Sequence, residues 1–228
     1  MEKNQAKLLY IGYIIYKKVK NSAKSWIRQR RIKQLLTDGT ITRPAFPRNA
    51  TKMIHIGCGE INIPGFINID SVPFPHVHYV TDNLTDLSIF ASDTIDFIYM
   101  SHVLEHVKIS QVESVIWEMH RTLKIGGRLR ISVPDFDKLV RIYQTEGYHI
   151  DVIHYYLMGG QDYDYNFHKS VFNRSYLCKV MLEMGFGEVH EWNPSSDALA
   201  NFKDESTVAI VGKTGKRYCL SLNLEATK

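Results

Sequence analysis

From Lys52 onward, short apolar runs of strand length alternate with longer segments of helical period. A chain patterned this way closes its core as a parallel sheet with both faces covered. Met53–Ile56, Phe66–Ile69, Ile95–Met100 and Arg128–Val133 read as strands. Between the last two, Val112, Val115, Ile116, Met119 and Leu123 keep a helical spacing, which predicts a helix over Val107–Leu123 that ends before Gly126-Gly127. Downstream, helices are expected at Phe136–Tyr143 and Arg174–Met184. Strands are expected at Val189–Trp192 and Tyr218–Glu225. An aromatic stretch, Tyr148–Phe172, separates the two helices.

The N-terminal region has a different character. Residues 1–48 hold twelve Lys and Arg against two acids, Glu2 and Asp38, so a basic arm precedes a mildly acidic domain. Leu8, Ile11, Ile15, Val19, Ala23 and Trp26 recur every three or four residues among cations, which predicts a basic amphipathic helix. Pro44 and Pro47 then mark an extended linker. The division expected is an arm and linker over 1–50 and a domain over 51–228. The apolar run Leu8 to Tyr16 is too short to cross a bilayer, and the dense cations after it do not suit a signal peptide. Cys58, Cys178 and Cys219 form neither a disulfide framework nor a zinc pattern, which favours a reducing compartment.

Chemistry is concentrated at the ends of strands. Ile54-His55-Ile56-Gly57-Cys58-Gly59 places two glycines directly after the first strand, where the backbone can approach a ligand without an intervening side chain. Asp70 ends the next strand, where a carboxylate can accept hydrogen bonds from both hydroxyls of a ribose. A dinucleotide fingerprint would need a third glycine at position 62, which is Asn62, so a nicotinamide cofactor fits poorly.

The run IHIGCGEINIPGFINID resembles the first motif and acidic second-strand end of class I S-adenosylmethionine-dependent methyltransferases. DTIDFIYMSHVLEHV resembles their fourth strand and following loop, and EMHRTLKIGGRLRISVPDF their next helix, glycine turn and fifth strand. MGGQDYDYNFHKSVFN, with a later helix ending in Gly185-Phe186, is similar to a bacterial subgroup linked with surface-polysaccharide assembly. The resemblance covers residues 52–228. It implies a Rossmann-like α/β fold: a seven-stranded, mostly parallel sheet with helices on both faces, the last strand antiparallel, and an acceptor lid around 145–173.

S-adenosyl-L-methionine is the implied cofactor. By resemblance Gly57, Cys58 and Gly59 would line its methionine and ribose, Asp70 would hold the ribose, Asp82, Asn83 and Leu84 would read adenine, and Ser101 would sit beside the methionine end. The chain departs from the family in having His55 where an acid is usual. It also leaves room for only about one helical turn between Gly59 and Asp70.

An acceptor hydroxyl must lose a proton during methyl transfer, a task that suits histidine. His102, His168 and Asp135 are the candidates, each with a structural alternative: His102 as a loop anchor, His168 as part of an aromatic core, Asp135 as a helix cap. His106 reads as a residue at a helix N-terminus and Glu105 as first-turn charge compensation. No metal is expected, since no His-Glu-x-x-His spacing occurs.

Tyr155, Tyr156, Tyr163, Tyr165, Phe167 and Phe172, interleaved with Gln161, Asp162, Asp164 and Asn166, suit a sugar or glycan acceptor, or form an ordinary aromatic core under a loop. The expectation is O-methylation of a sugar or glycan intermediate in the cytoplasm. Residues 8–31 would lie on the inner face of a membrane, dock on the domain or meet a second subunit. Nucleic acid is a poorer partner for the acidic domain. Methylation of another small metabolite, or a catalytically silent cofactor-binding module, are the alternatives.

Overall fold

The structure is a computed structural model that describes residues 26–196, 198–212 and 215–228. The chain forms two compact units, divided between Thr40 and Ile41. In the first, residues 26–37 form helix α1. The Thr37 hydroxyl donates to the carbonyls of Lys33 and Gln34, and Asp38 then accepts from the Thr40 amide, which ends the helix in a turn. Most of the amphipathic helix expected over 8–31 lies outside the described residues. Within its last turns Trp26 and Ile27 are exposed, and the Arg30 guanidinium lies over the Trp26 ring.

In the second unit the strands are β1 (Met53–Ile56), β2 (Phe66–Asp70), β3 (Tyr79–Val80), β4 (Ile95–Ser101), β5 (Leu123–Pro134), β6 (Glu188–Glu191), β7 (Ala209–Val211), β8 (Arg217–Cys219) and β9 (Ser221–Thr227). Helices α2 (Val112–Thr122), α3 (Phe136–Thr145), α4 (His154–Met158) and α5 (Arg174–Glu183) complete it. Seven strands form one sheet in the order β3-β2-β1-β4-β5-β9-β6, with β9 antiparallel to both neighbours and the other pairs parallel. This is the expected Rossmann-like α/β sheet. Residues 41–49 run along the domain without regular structure: Arg43 donates to the Phe74 carbonyl, Phe46 stacks on Phe90, and the Asn49 amide donates to the Gly65 carbonyl.

The period of two decides which side chains meet. Ile54 and Ile56 of β1 and Ile98 and Met100 of β4 face the side where Val115, Ile116 and Met119 of α2 pack with Leu177, Val180 and Met181 of α5. Phe97 and Tyr99 face the opposite side, against Ile63, Phe66, Trp192 and Phe202. A bulge between Ile95 and Phe97 lets both Ile95 and Ile98 reach the helical face. Asp135 caps α3 by accepting from the Asp137 amide, and Asn173 caps α5 through the Tyr176 amide.

Two expectations need correction. The final strand does not run over Tyr218–Glu225. Arg217–Cys219 pairs with Ala209–Val211 in a separate hairpin, the buried Leu220 donates to the Val208 carbonyl, and the sheet strand begins at Ser221. Helix α2 begins at Val112 rather than Val107. The carbonyls a helix would need there are taken: Glu105 O accepts from the amides of Lys169 and Ser170, and Val107 O accepts from the Ser170 hydroxyl. The interval between Gly59 and Asp70 holds two short hydrogen-bonded turns, Ile61 N to Cys58 O and Phe66 N to Ile63 O, and no helix.

His55, the departure from the family pattern, is buried on β1 between Phe66 and Tyr99, and its Nδ1 has no hydrogen-bond partner. Burial is the main reason its pKa falls to about 4. Because the folded value lies below the unfolded one, the unfolded chain binds the extra proton between about pH 6.5 and pH 4. Stability is therefore lost as pH falls through that window, by about 3 kcal/mol at 1.36 kcal/mol per unit, and this contribution is constant below it. Urea denaturation at pH 7, 5.5 and 4.5 is expected to show a shallower acid slope in His55→Leu than in the parent. Equal slopes would mean that His55 does not carry this acid sensitivity.

Candidate active site

The carboxyl ends of β1, β2 and β4 form one edge of the sheet, and each contributes a polar group there. After β1 the chain turns on Gly57 (φ +64°) and Gly59 (φ +53°), both in the left-handed region that favours glycine. The two positions are glycine for different reasons. A Cβ at Gly57 would stand 2.1 Å from Val103 Cγ2, so the turn and the loop after β4 are in close contact. At Gly59 a Cβ would meet nothing within 4 Å, so the main chain is open on that side.

Asp70 fastens this turn. Its Oδ2 accepts from the Gly59 amide at 2.7 Å and its Oδ1 from the Val72 amide at 2.8 Å. Burial raises the Asp70 pKa, while these amides and nearby His76 oppose the shift. Each carboxylate oxygen keeps a second lone pair for another donor. The Cys58 side chain is buried, burial together with Asp70 pushes its thiol pKa up, and its amide donates to the Ile69 carbonyl. Asn83 is committed to its own turn, accepting from the Thr85 amide and hydroxyl. Leu84 packs partly on the core, and Asp82 is exposed.

Past β4, Ser101 Oγ is buried without a well-formed hydrogen bond, although it lies close enough to Tyr99 to affect that phenol. His102 adopts φ +53° and is held at both ring nitrogens. Its Nε2 stands 2.8 Å from Ser221 Oγ, and its Nδ1 3.1 Å from Glu105 Oε1. Ser221 donates its one proton to the Glu205 carbonyl, so it accepts from His102 Nε2–H. Burial works against charge on His102, but Glu105 outweighs it and the pKa is raised. His102 is thus held as a loop anchor.

Glu105 lies in the first turn of the short Leu104–His106 helix, as expected, and is buried there. It is 1% exposed, at the centre of three histidines: His102, His106 and His168. The His106 and His168 rings meet edge to face at 4.8 Å between centroids. His106 Nδ1 stands 3.1 Å from the Phe167 carbonyl, and His168 Nδ1 3.0 Å from the Tyr156 carbonyl. Burial lowers the His168 pKa, so it stands as the neutral imidazole. The residues that sequence reasoning missed are therefore Glu105 and His106, whose signal was their place beside His102 in a single Leu-Glu-His turn.

Asp135, the third candidate base, caps α3 and lies 3.7 Å from Lys138. In the lid region Asp162 and Asn166 hydrogen-bond each other, and Gln161 donates to the Met158 carbonyl, so these polar groups shape their own loop. Phe172 is fully buried, whereas Tyr155 and Phe167 are exposed. Burial raises the Tyr165 pKa, and the charges of Asp82, Asp164 and Asp70 add to the shift.

Residues 66–131, from β2 into β5, match a family model described as a methyltransferase domain. Over this segment the chain is similar to a methyltransferase domain. Its cofactor is S-adenosylmethionine, and the glycine turn can accommodate such a group through the open side of Gly59 and the remaining lone pairs of Asp70. Among curated proteins, none matches the chain.

Solved structures similar to it include an S-adenosylmethionine-dependent methyltransferase from Archaeoglobus fulgidus, 12% identical, covering 90% of this chain and 94% of that one with a TM-score of 0.49. One from Thermotoga maritima is 18% identical, covering 94% and 98%, at 0.49. Another from Methanosarcina mazei is 15% identical, covering 80% and 94%, also at 0.49. Likenesses this distant carry no argument about substrate.

Proposed function

We propose that this methyltransferase transfers a methyl group to a hydroxyl of a sugar or glycan intermediate of surface-polysaccharide assembly. The observation that carries the reading is His168: at the lid end of the site it alone among the three candidate bases is a neutral ring with an uncommitted nitrogen. His102 is engaged at both nitrogens and Asp135 is a cap.

The main chain of Gly57, Cys58 and Gly59 would line the methionine and ribose, Asp70 would hold the ribose hydroxyls, and Asp82, Asn83 and Leu84 would border the adenine. Ser101 flanks the methionine end. When bound, the cofactor supplies an activated methyl on a sulfonium; the protein aligns the acceptor oxygen and draws off its proton. Exposed Tyr155 and Phe167 offer apolar faces to a sugar ring.

Incubation with methyl-labelled S-adenosylmethionine and a panel of nucleotide-sugars and lipid-linked glycans is expected to transfer label to one sugar class. His168→Ala should cut turnover by about 10²–10⁴ with the affinity for S-adenosylhomocysteine kept. Label passing only to an amine or other small metabolite would overturn the sugar assignment, and full activity in His168→Ala would remove the histidine from the chemistry.

A further inference from the structure

We propose that Glu105, His106 and His168 form a binding site for a divalent transition-metal ion of the zinc type. One nitrogen of each ring and one Glu105 oxygen all lie within 4.8 Å of one another. Around a tetrahedral ion with bonds of about 2.0–2.1 Å, ligand atoms stand roughly 3.4 Å apart, so modest side-chain rotations close the set. Neither adjacency in sequence nor a familiar ligand spacing marks the trio, because His168 comes from the far side of the lid.

Three independent features point to a cation. First, the Glu105 carboxylate is buried yet receives no hydrogen bond at either oxygen. Its contact with His102 Nδ1 touches Oε1 without hydrogen-bond alignment, and Oε2 has no donor. His102 already meets Oε1, and a buried oxygen left without a donor, as Oε2 is, is costly unless a further positive centre meets it.

Second, both histidines are fixed in the tautomer a metal needs. A main-chain carbonyl can only accept, so Nδ1 of His106 and of His168 carries the proton and Nε2 carries the lone pair. Donation from the far ring nitrogen to a carbonyl is the usual outer support of a metal-ligating histidine.

Third, the two ligand-bearing segments are joined by main-chain bonds. The amides of Lys169 and Ser170 donate to Glu105 O at 2.7 and 3.1 Å. Three protein ligands leave a fourth position to an outside group, and Glu105 and His168 also line a small cavity with Leu139, Tyr156, Leu157 and Phe172. That is the ligand count of a reactive rather than a purely structural site. Nε2 of His168 is the nitrogen offered above as proton acceptor, and with an ion bound it no longer plays that part; the site stands on this geometry whether or not sugar methylation is the reaction.

The test uses full-length protein stripped of metal by a chelator. Titration with zinc against a chromophoric competitor is expected to show one equivalent bound with submicromolar affinity, and cobalt substitution to give the visible absorbance of a four-coordinate ion with nitrogen and oxygen ligands. His106→Ala and His168→Ala should each weaken zinc binding by about 100-fold. Glu105→Gln, which keeps the shape and removes the charge, should weaken it similarly. S-adenosylhomocysteine titrated into the same samples reports on the cofactor end separately, so loss of metal with that affinity kept supports the site without bearing on the acceptor.

No stoichiometric zinc binding and no cobalt spectrum in the parent protein would overturn the proposal without any variant. Undiminished zinc affinity in both histidine variants would overturn it as well.

Discussion

Asp70→Ala is expected to bind S-adenosylhomocysteine about 10- to 100-fold more weakly than the parent in calorimetric titration, the size of loss that follows removal of hydrogen bonds to a charged group. The carboxylate has two tasks. It offers lone pairs toward the open side of the glycine turn, and it already accepts from the amides of Gly59 and Val72. Alanine removes both, so the turn loses its anchor as well as the ligand's acceptor. Asp70→Asn keeps one carbonyl oxygen and the shape, and should fall between parent and alanine. An affinity within twofold of the parent in Asp70→Ala, with the fold intact by circular dichroism, would mean that the cofactor is held elsewhere. Binding of NADH in place of the sulfur nucleotide would refute the cofactor assignment itself.

The second large effect concerns stability. Gly57→Ala forces a Cβ to within 2.1 Å of Val103 Cγ2 at a φ of +64°. Left-handed backbone costs an alanine about 1–2 kcal/mol, and an overfilled contact typically adds about 1–3 kcal/mol. Together these approach a large share of the roughly 5–15 kcal/mol that holds a domain folded. Urea denaturation should therefore show a loss of about 2–5 kcal/mol.

Val103→Ala removes the colliding methyl and isolates the two costs. The double variant is expected to recover the packing part and retain the backbone part, a coupling that a double-mutant cycle reads directly. Parent-like stability of Gly57→Ala would show that the turn and the loop after β4 are not in contact. Because Val103 leads into the Leu104–His106 turn, the same collision would also displace Glu105 and His106.

The stretches legible in the sequence share a local origin. Strand and helix periods are set by which side chains fall on one face, so β1, β2, β4 and the body of α2 could be read from apolar spacing alone. The caps Asp135 and Asn173 act within three residues of themselves. Gly57, Gly59 and Asp70 belong to the same class, since a tight turn after one strand and an acid ending the next are properties of short segments joined by a parallel pair. The net sign of the arm is also a property of the sequence as it stands.

Tertiary structure decided what depends on distant segments. Helix α2 starts five residues late because Lys169 and Ser170 take the Glu105 carbonyl and the Ser170 hydroxyl takes that of Val107. The C-terminal alternation divides at Leu220 because two different partners, β7 for one half and β5 with β6 for the other, claim its main chain. No local pattern encodes either competition. The gathering of Glu105, His106 and His168 is the sharpest case. A glutamate flanked by histidines reads as an ordinary helix start until the lid's main chain closes over it, buries the carboxylate and turns both rings by their Nδ1 protons toward carbonyl oxygens. Residue identities supplied the chemical groups. Long-range hydrogen bonds, which sequence spacing does not carry, determined which of them meet.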